Sequence, residues 1–220
     1  MGHRDILFLH GFASSSKARK AKVLGAKLEA FPNVAFHAVE LTPTPVDFEY
    51  MTTTGLIDRL RQYVLDHELG LVDIVGSSYG GLIALHYARR FAGVGRMLLL
   101  APGLFWLSGG LSDEDLEHWQ RTGVRMVDHF AFEARIPVTY DLQVDGLRYL
   151  EPIPPASQTL IIHGRRDITV PIEYSRNYAA SYPERVSLLE IDADHDLNNH
   201  LDLVWQYVQS FLLGIDQGGA

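Results

Sequence analysis

The stretch Val72-Asp73-Ile74-Val75-Gly76-Ser77-Ser78-Tyr79-Gly80-Gly81 decides how the rest of the chain is read. Its first part is a short, largely apolar run with β-branched side chains, the pattern of a buried strand. Gly76-Ser77-Ser78-Tyr79-Gly80 matches G-x-S-x-G, and Leu82-Ile83-Ala84-Leu85-His86-Tyr87-Ala88 behind it is a helical run. A strand that turns sharply into a helix around a serine is a nucleophile elbow. The serine sits at the tip of a strained turn, which persists only where its surroundings enforce it. Gly76 and Gly80 lie two residues either side of Ser78, where a Cβ would clash across the turn. A helix beginning at Tyr79 aims backbone N–H groups and a partial positive charge at the reacting centre. Without its flanking strand and helix the pattern would be an ordinary Gly/Ser-rich turn. With them, Ser78 is the candidate nucleophile; Ser77 lacks a glycine two residues after it.

Outward from the elbow, strands and helices alternate. Residues 5–9 are an apolar strand running into His10-Gly11-Phe12. Residues 14–16 can cap a helix whose Ala18, Ala21, Leu24, Leu28 and Phe31 share one face, with Lys17, Arg19, Lys20, Lys22 and Lys27 on the remaining surface. Residues 34–41 form the next strand, followed by a Thr/Pro-rich loop over 42–46. Thr52 to Thr54 can cap a second helix, striped by Leu56, Ile57, Leu60 and Val64. Residues 95–101 include Met97-Leu98-Leu99-Leu100, whose lack of alternation marks a strand covered on both faces.

The rhythm breaks over residues 103–155, which are irregular, aromatic and charged. Ser112-Asp113-Glu114-Asp115 is a capping box for a short acidic helix. Trp106, Trp119, Phe130, Phe132, Tyr140 and Tyr149 follow no clean period. We read this segment as a small cap inserted into a single domain spanning residues 1–220. Residues 158–164 resume with a strand ending in His163-Gly164. Pro171 stands at a favoured helix start, residues 186–192 are the last strand, and Asn198 can cap a final helix striped by Leu201, Val204, Trp205, Val208, Phe211 and Leu212. The expected class is α/β: a mostly parallel sheet of about six strands, helices on both faces, and ligands at the carboxyl ends of the strands.

A serine hydroxyl needs a base within hydrogen-bond reach. Asp194-His195-Asp196 follows the last strand at once, which brings His195 to the same sheet edge as Ser78. His10 and His163 also end strands, but each precedes a glycine in a tight turn, and His200 falls inside the helix. The base in turn needs an acid to orient it. Asp167 follows the preceding strand, so its loop can meet that of His195. Asp194 and Asp196 are nearer in sequence, but adjacent side chains point apart, and Asp141 is a weaker rival inside the cap. Two backbone donors should face the developing oxyanion: the N–H of Tyr79 and, from the loop after the first strand, the N–H of Phe12.

Four patches, Leu9-His10-Gly11-Phe12, Gly76-Ser77-Ser78-Tyr79-Gly80-Gly81, His163-Gly164-Arg165-Arg166-Asp167 and Asp194-His195, resemble the α/β-hydrolase superfamily, and its small serine esterases and acyl hydrolases in particular. The order Ser, Asp, His is that superfamily's chain order. The resemblance implies a three-layer fold and a serine hydrolase that needs no cofactor and no metal. Members often carry two further strands before the His-Gly strand, so a shortened sheet is expected here. A serine nucleophile disfavours the dehalogenase and epoxide hydrolase chemistries of the superfamily. The expected substrate is a small-molecule ester or thioester. A thioesterase, peptidase or acyltransferase with the same triad remains open, as does a non-catalytic ligand-binding protein on the same fold. Phe12, Phe105 and Trp106 are candidates for an apolar acyl pocket. Lys17, Arg19, Lys20 and Lys22 start near the same edge and are candidates to attract an anionic substrate group.

Composition sets the remaining bounds. The chain has 220 residues of which 47% are hydrophobic, enough for one sizeable core. A net charge of −8 argues against a nucleic-acid partner. There is no cysteine, which removes disulfides and thiol chemistry and fits a reducing compartment. Residues 6–9 are too short an apolar run for a signal peptide, and no stretch approaches a membrane span, so a cytoplasmic location is expected.

Overall fold

A computed structural model describes residues 2–104, 111–151 and 153–215. Six strands make one sheet: β1 (Arg4–Leu9), β2 (Val34–Val39), β3 (Val72–Ser77), β4 (Val94–Leu100), and, beyond a long intervening segment, Gln158–Gly164 and Val186–Ile191. The segment contributes its own strands β5 (Val124–His129) and β6 (Ala134–Thr139), so the last two strands of the main sheet are β7 and β8. The order is β2-β1-β3-β4-β7-β8, and every pairing in it is parallel.

Alternation along the strands explains the three layers. Leu7, Leu9, Ile74, Met97, Leu99 and Ile161 point to one face, where α3 (Thr53–Asp66), α4 (Tyr79–Arg90) and α7 (Glu173–Ser181) cover them. Ile6, Phe8, Val75, Leu98, Leu100 and Ile162 point to the other, under α1 (Arg19–Leu28) and α8 (Leu201–Tyr207). Two-sided burial is why these strands read as continuous apolar runs. Asp73 is tolerated inside β3 because its Oδ1 accepts from the Arg96 N–H at 2.7 Å and its Oδ2 lies 3.4 Å from Arg4 Nη1.

The helix stripes fall as the sequence suggests, but several starts do not. Thr52 caps α3 by accepting from the Gly55 N–H. The serines at 14–16 leave α1 without a side-chain cap; Ser16 instead donates to Glu40, described below. Pro171 stands two residues before α7, and Asn198 opens a single tight turn ahead of α8 rather than capping it. The supposed loop at 42–46 holds the start of α2 (Pro45–Glu49), with a reciprocal capping box between Thr44 and Asp47 and Pro45 at the first helical position.

The segment between β4 and β7 is more regular than its sequence suggests. Ser112 caps α5 (Asp113–Thr122), which ends on the left-handed Gly123 (φ 76°). β5 and β6 form an antiparallel hairpin, and α6 (Asp141–Gly146) follows. Among the described aromatic residues, Trp119 packs edge-on to Tyr140 and Phe132 stacks on His129. Trp119 is buried and donates its indole N–H to the Val138 carbonyl at 2.9 Å. The Asp145 carboxylate receives the Thr54 N–H and hydroxyl, both at 2.7 Å, placing an anion on the first turn of α3. Among the described residues no helix is long and apolar enough to cross a membrane.

Candidate active site

Ser78 sits between β3 and α4 with φ 53° and ψ −119°, a conformation costly for any residue with a Cβ. Three backbone hydrogen bonds hold it there. Its N–H donates to Leu100, and its carbonyl accepts from Gly81 at 2.8 Å and Gly103 at 2.9 Å. Close approach explains the glycines. A Cβ on Gly76 would stand 2.8 Å from the Gly80 carbonyl oxygen, across the turn as the sequence suggests. Gly80 differs from that expectation: its Cβ would meet the carbonyls of Leu9 and His10 at 2.3 and 2.6 Å, so this glycine lets the elbow press against the end of β1. Gly11 faces the serine directly; a Cβ there would stand 3.2 Å from Ser78 Cβ.

The ends of β3, β7 and β8 bring Ser78, Asp167 and His195 into one hydrogen-bonded chain. His195 Nε2 lies 2.9 Å from Ser78 Oγ, and His195 Nδ1 lies 2.7 Å from Asp167 Oδ2. Asp167 is buried, yet it accepts four hydrogen bonds. The N–H groups of Thr169 and Val170 reach Oδ1 at 2.9 and 2.8 Å, and His163 joins His195 on Oδ2. Burial pushes the Asp167 carboxyl up, but the bonds from His163, His195 and the Val170 N–H outweigh it and hold the group well below the usual carboxylate range. The rival acids play no part in this chain. Asp194 and Asp196 are exposed, and Asp141 is exposed at the first turn of α6.

His163 is the residue that sequence reasoning passes over. It is fully buried, and its Nε2 faces both Asp167 Oδ2 and the Val170 carbonyl at 3.0 Å, so that nitrogen carries the proton. Its Nδ1 then accepts from the Ser175 hydroxyl at 2.7 Å. The four-residue spacing from His163 to Asp167 is the available signal. His10 is also more than a strand exit. It is buried, lies 2.8 Å from Glu40 Oε1, and its Nδ1 donates to the Gly11 carbonyl at 2.9 Å. Burial raises the Glu40 carboxyl, while His10 and the N–H and hydroxyl of Ser16 outweigh it and bring it down to about 2.

A cavity of about 360 Å³ opens onto Ser78 and His195. Phe12, Lys20, Phe130 and Thr169 help to line it. Phe12 packs edge-on to Tyr79, whose hydroxyl meets that of Thr53 at 2.8 Å. Phe130 is 81% exposed at the tip of the β5–β6 hairpin, where its N–H reaches the Ala13 carbonyl. The basic group does not act as one. Lys20 turns into this cavity; Lys17 and Lys22 line a neighbouring one of about 420 Å³, and Arg19 lines neither. Phe105 and Trp106 lie outside the described residues. Among the described residues no cluster of three or more His, Cys, Asp or Glu side chains is grouped to hold a metal ion.

The model of the family described as "Uncharacterised protein family (UPF0227)" matches residues 5–212, nearly the whole chain. The chain belongs to this family. Its fold is the α/β-hydrolase fold, as solved structures show at low sequence identity. The alpha/beta hydrolase domain-containing protein 10 from mouse superposes with a TM-score of 0.74 at 19% identity, covering 96% of this chain and 90% of that one. A monoacylglycerol lipase of Paleococcus ferrophilus gives 0.75 at 14% identity, covering 96% of each chain. A curated relative, the 2-hydroxymuconate semialdehyde hydrolase of Pseudomonas sp. (strain CF600), is 27% identical over 188 residues, 67% of this chain. The match spans 66% of that relative's length. Within this UPF0227 chain, the described sheet runs from β2 at one edge to β8 at the other, and its six strands present their carboxyl ends to the elbow side.

Proposed function

We propose that this UPF0227 protein is a serine hydrolase that cleaves the ester bonds of small acyl substrates through an acyl-enzyme. The observation that carries the reading is the Ser78–His195–Asp167 chain, with contacts of 2.9 and 2.7 Å, standing on a strained elbow at the mouth of a cavity. Ser78 Oγ attacks the carbonyl carbon while His195 Nε2 takes its proton. Asp167 holds the His195 Nδ1–H and stabilises the imidazolium. The N–H groups of Phe12 and Tyr79 serve as donors to the oxyanion, the first because Gly11 brings its loop against Ser78. Collapse expels the alcohol, which receives the proton from His195. Water, deprotonated by the same nitrogen, then releases the acid and restores Ser78. The segment over residues 111–151 acts as the cap, with Phe130 at the cavity mouth and Asp145 tying it to α3.

The test is hydrolysis of p-nitrophenyl esters from acetyl to long acyl chains by wild type and Ser78→Ala. Turnover by the wild type that falls by roughly 10⁴ or more in the variant supports the reading, and the chain-length optimum sizes the pocket. A folded wild type inert on every ester removes the esterase reading. Thioesters, peptides and 2-hydroxymuconate semialdehyde, the compound named for the curated relative, would come next. Inertness on these as well would favour a ligand-binding role.

A further inference from the structure

Lys20 is half-buried in the wall of the cavity that holds Ser78 and His195, while its neighbours Lys17, Arg19 and Lys22 are exposed. Among the described residues its side chain makes no hydrogen bond or ion pair. The charges that act on it are those of Asp196 and then Asp194, the exposed residues flanking His195. We propose that Lys20 is a specificity-determining residue, binding a single carboxylate carried on the leaving-group side of the substrate. This rests on the hydrolase reading given above.

Three observations support it. First, a cation in a cavity wall without a close partner has given up solvent without a compensating bond, and a carboxylate in the cavity would supply one. In agreement, burial lowers the Lys20 ammonium from its ordinary range, only partly offset by Asp196 and then Asp194. Second, the side of the cavity is defined. His195 Nε2 must deliver its proton to the departing oxygen, so the leaving group lies beside His195. Lys20 lines the same cavity as His195 and the next residue, Asp196. Third, the carboxylates of Asp196 and Asp194 oppose a ligand in proportion to its negative charge, so a single carboxylate is opposed less than a phosphate dianion.

The experiment compares 3- and 4-acetoxybenzoate with their methyl esters, pairs that differ in one negative charge on the leaving group. The expected result is that Lys20→Gln lowers kcat/KM for the acetoxybenzoates at least tenfold more than for the methyl esters, and that Lys20→Arg recovers most of the difference. Taking each variant relative to wild type cancels the intrinsic reactivity of the two leaving groups. On the wild type itself, 4-hydroxybenzoate should compete with substrate at a concentration at least tenfold below its methyl ester. A Ser78-dependent enzyme whose discrimination is unmoved by Lys20→Gln, or whose Lys20 variants lose both substrate classes equally, overturns this inference and leaves the hydrolase reading standing. Equal inhibition by the charged and neutral phenols overturns it even if Lys20→Gln does not fold. A folded wild type inert on all four esters removes both.

Discussion

His10 and His163 stand at the carboxyl ends of two parallel strands, the first just after β1 and the second one residue before the end of β7. Each precedes a glycine, each is buried, and each faces a carboxylate, Glu40 at 2.8 Å and Asp167 at 3.0 Å. What differs is how the carboxylate uses its other contacts. Glu40 gives its second oxygen to the N–H and hydroxyl of Ser16 and so pins the loop after β1. Asp167 gives Oδ1 to two backbone N–H groups but shares Oδ2 with His195, whose far nitrogen faces Ser78. Two similar pairs are thus a loop clamp and part of a hydrogen-bonded chain that reaches Ser78. The third partner makes the difference, and it comes from a different strand end.

The largest effect should come from the shared oxygen. Asp167→Asn keeps the side-chain shape but cannot hold the His195 proton in the same way, and kcat should fall by roughly 10³ to 10⁴. A loss below tenfold on a well-folded variant would put Asp167 on the same footing as Glu40 and collapse the distinction. A smaller effect should separate the two histidines. His163→Leu removes one of the four donors to Asp167, so kcat should drop by about tenfold through looser positioning. With that donor gone, the Asp167 carboxyl rises toward its ordinary range, and the acid limb of the pH–rate profile should move to higher pH. His10→Leu should leave that limb in place and cost about 1–3 kcal/mol of stability, because Glu40 is left partly buried without its partner. Matching pH profiles for the two variants would break the comparison.

The smallest effect is shared by both pairs. Glu40 and Asp167 are held below their unfolded values, about 4 for both residue types, so the unfolded chain binds more protons in acid. Their contribution to stability is complete above about pH 5 and is lost as pH falls through about 4, toward about 2 for Glu40. The midpoint of thermal unfolding should therefore fall between about pH 5 and about pH 3, and Glu40→Gln should flatten that slope. An unchanged slope would mean that Glu40 is not held by His10 and Ser16 in solution.

The turn at Ser78 and its contacts with His195 and Asp167 are readable because their signals are local or fixed by chain order. Gly76, Ser78 and Gly80 lie within five residues, and His195 and Asp167 each follow a strand whose neighbours the right-handed crossovers of a parallel sheet constrain. The contact that requires Gly80 is not readable, since nothing in the sequence says that the end of β1 presses on it. The hairpin of β5 and β6 escapes notice because one of its faces is mostly solvent and Pro137 interrupts its pattern. The division among Lys17, Arg19, Lys20 and Lys22 is invisible because α1 starts at Arg19, later than its serines suggest, and its rotation on the sheet is set by packing.

The sequence alone determined the alternation of buried strands and helices, the strained serine turn, and the Ser78, Asp167, His195 order, because periodicity and turn chemistry act over a few residues. Only the tertiary structure decided that His163 joins Asp167 and His10 joins Glu40, which lysine enters the cavity, and how Phe130 comes to its mouth. Those outcomes depend on side chains from separate strand ends meeting at one sheet edge, and such distances are fixed only when both faces of the sheet are packed.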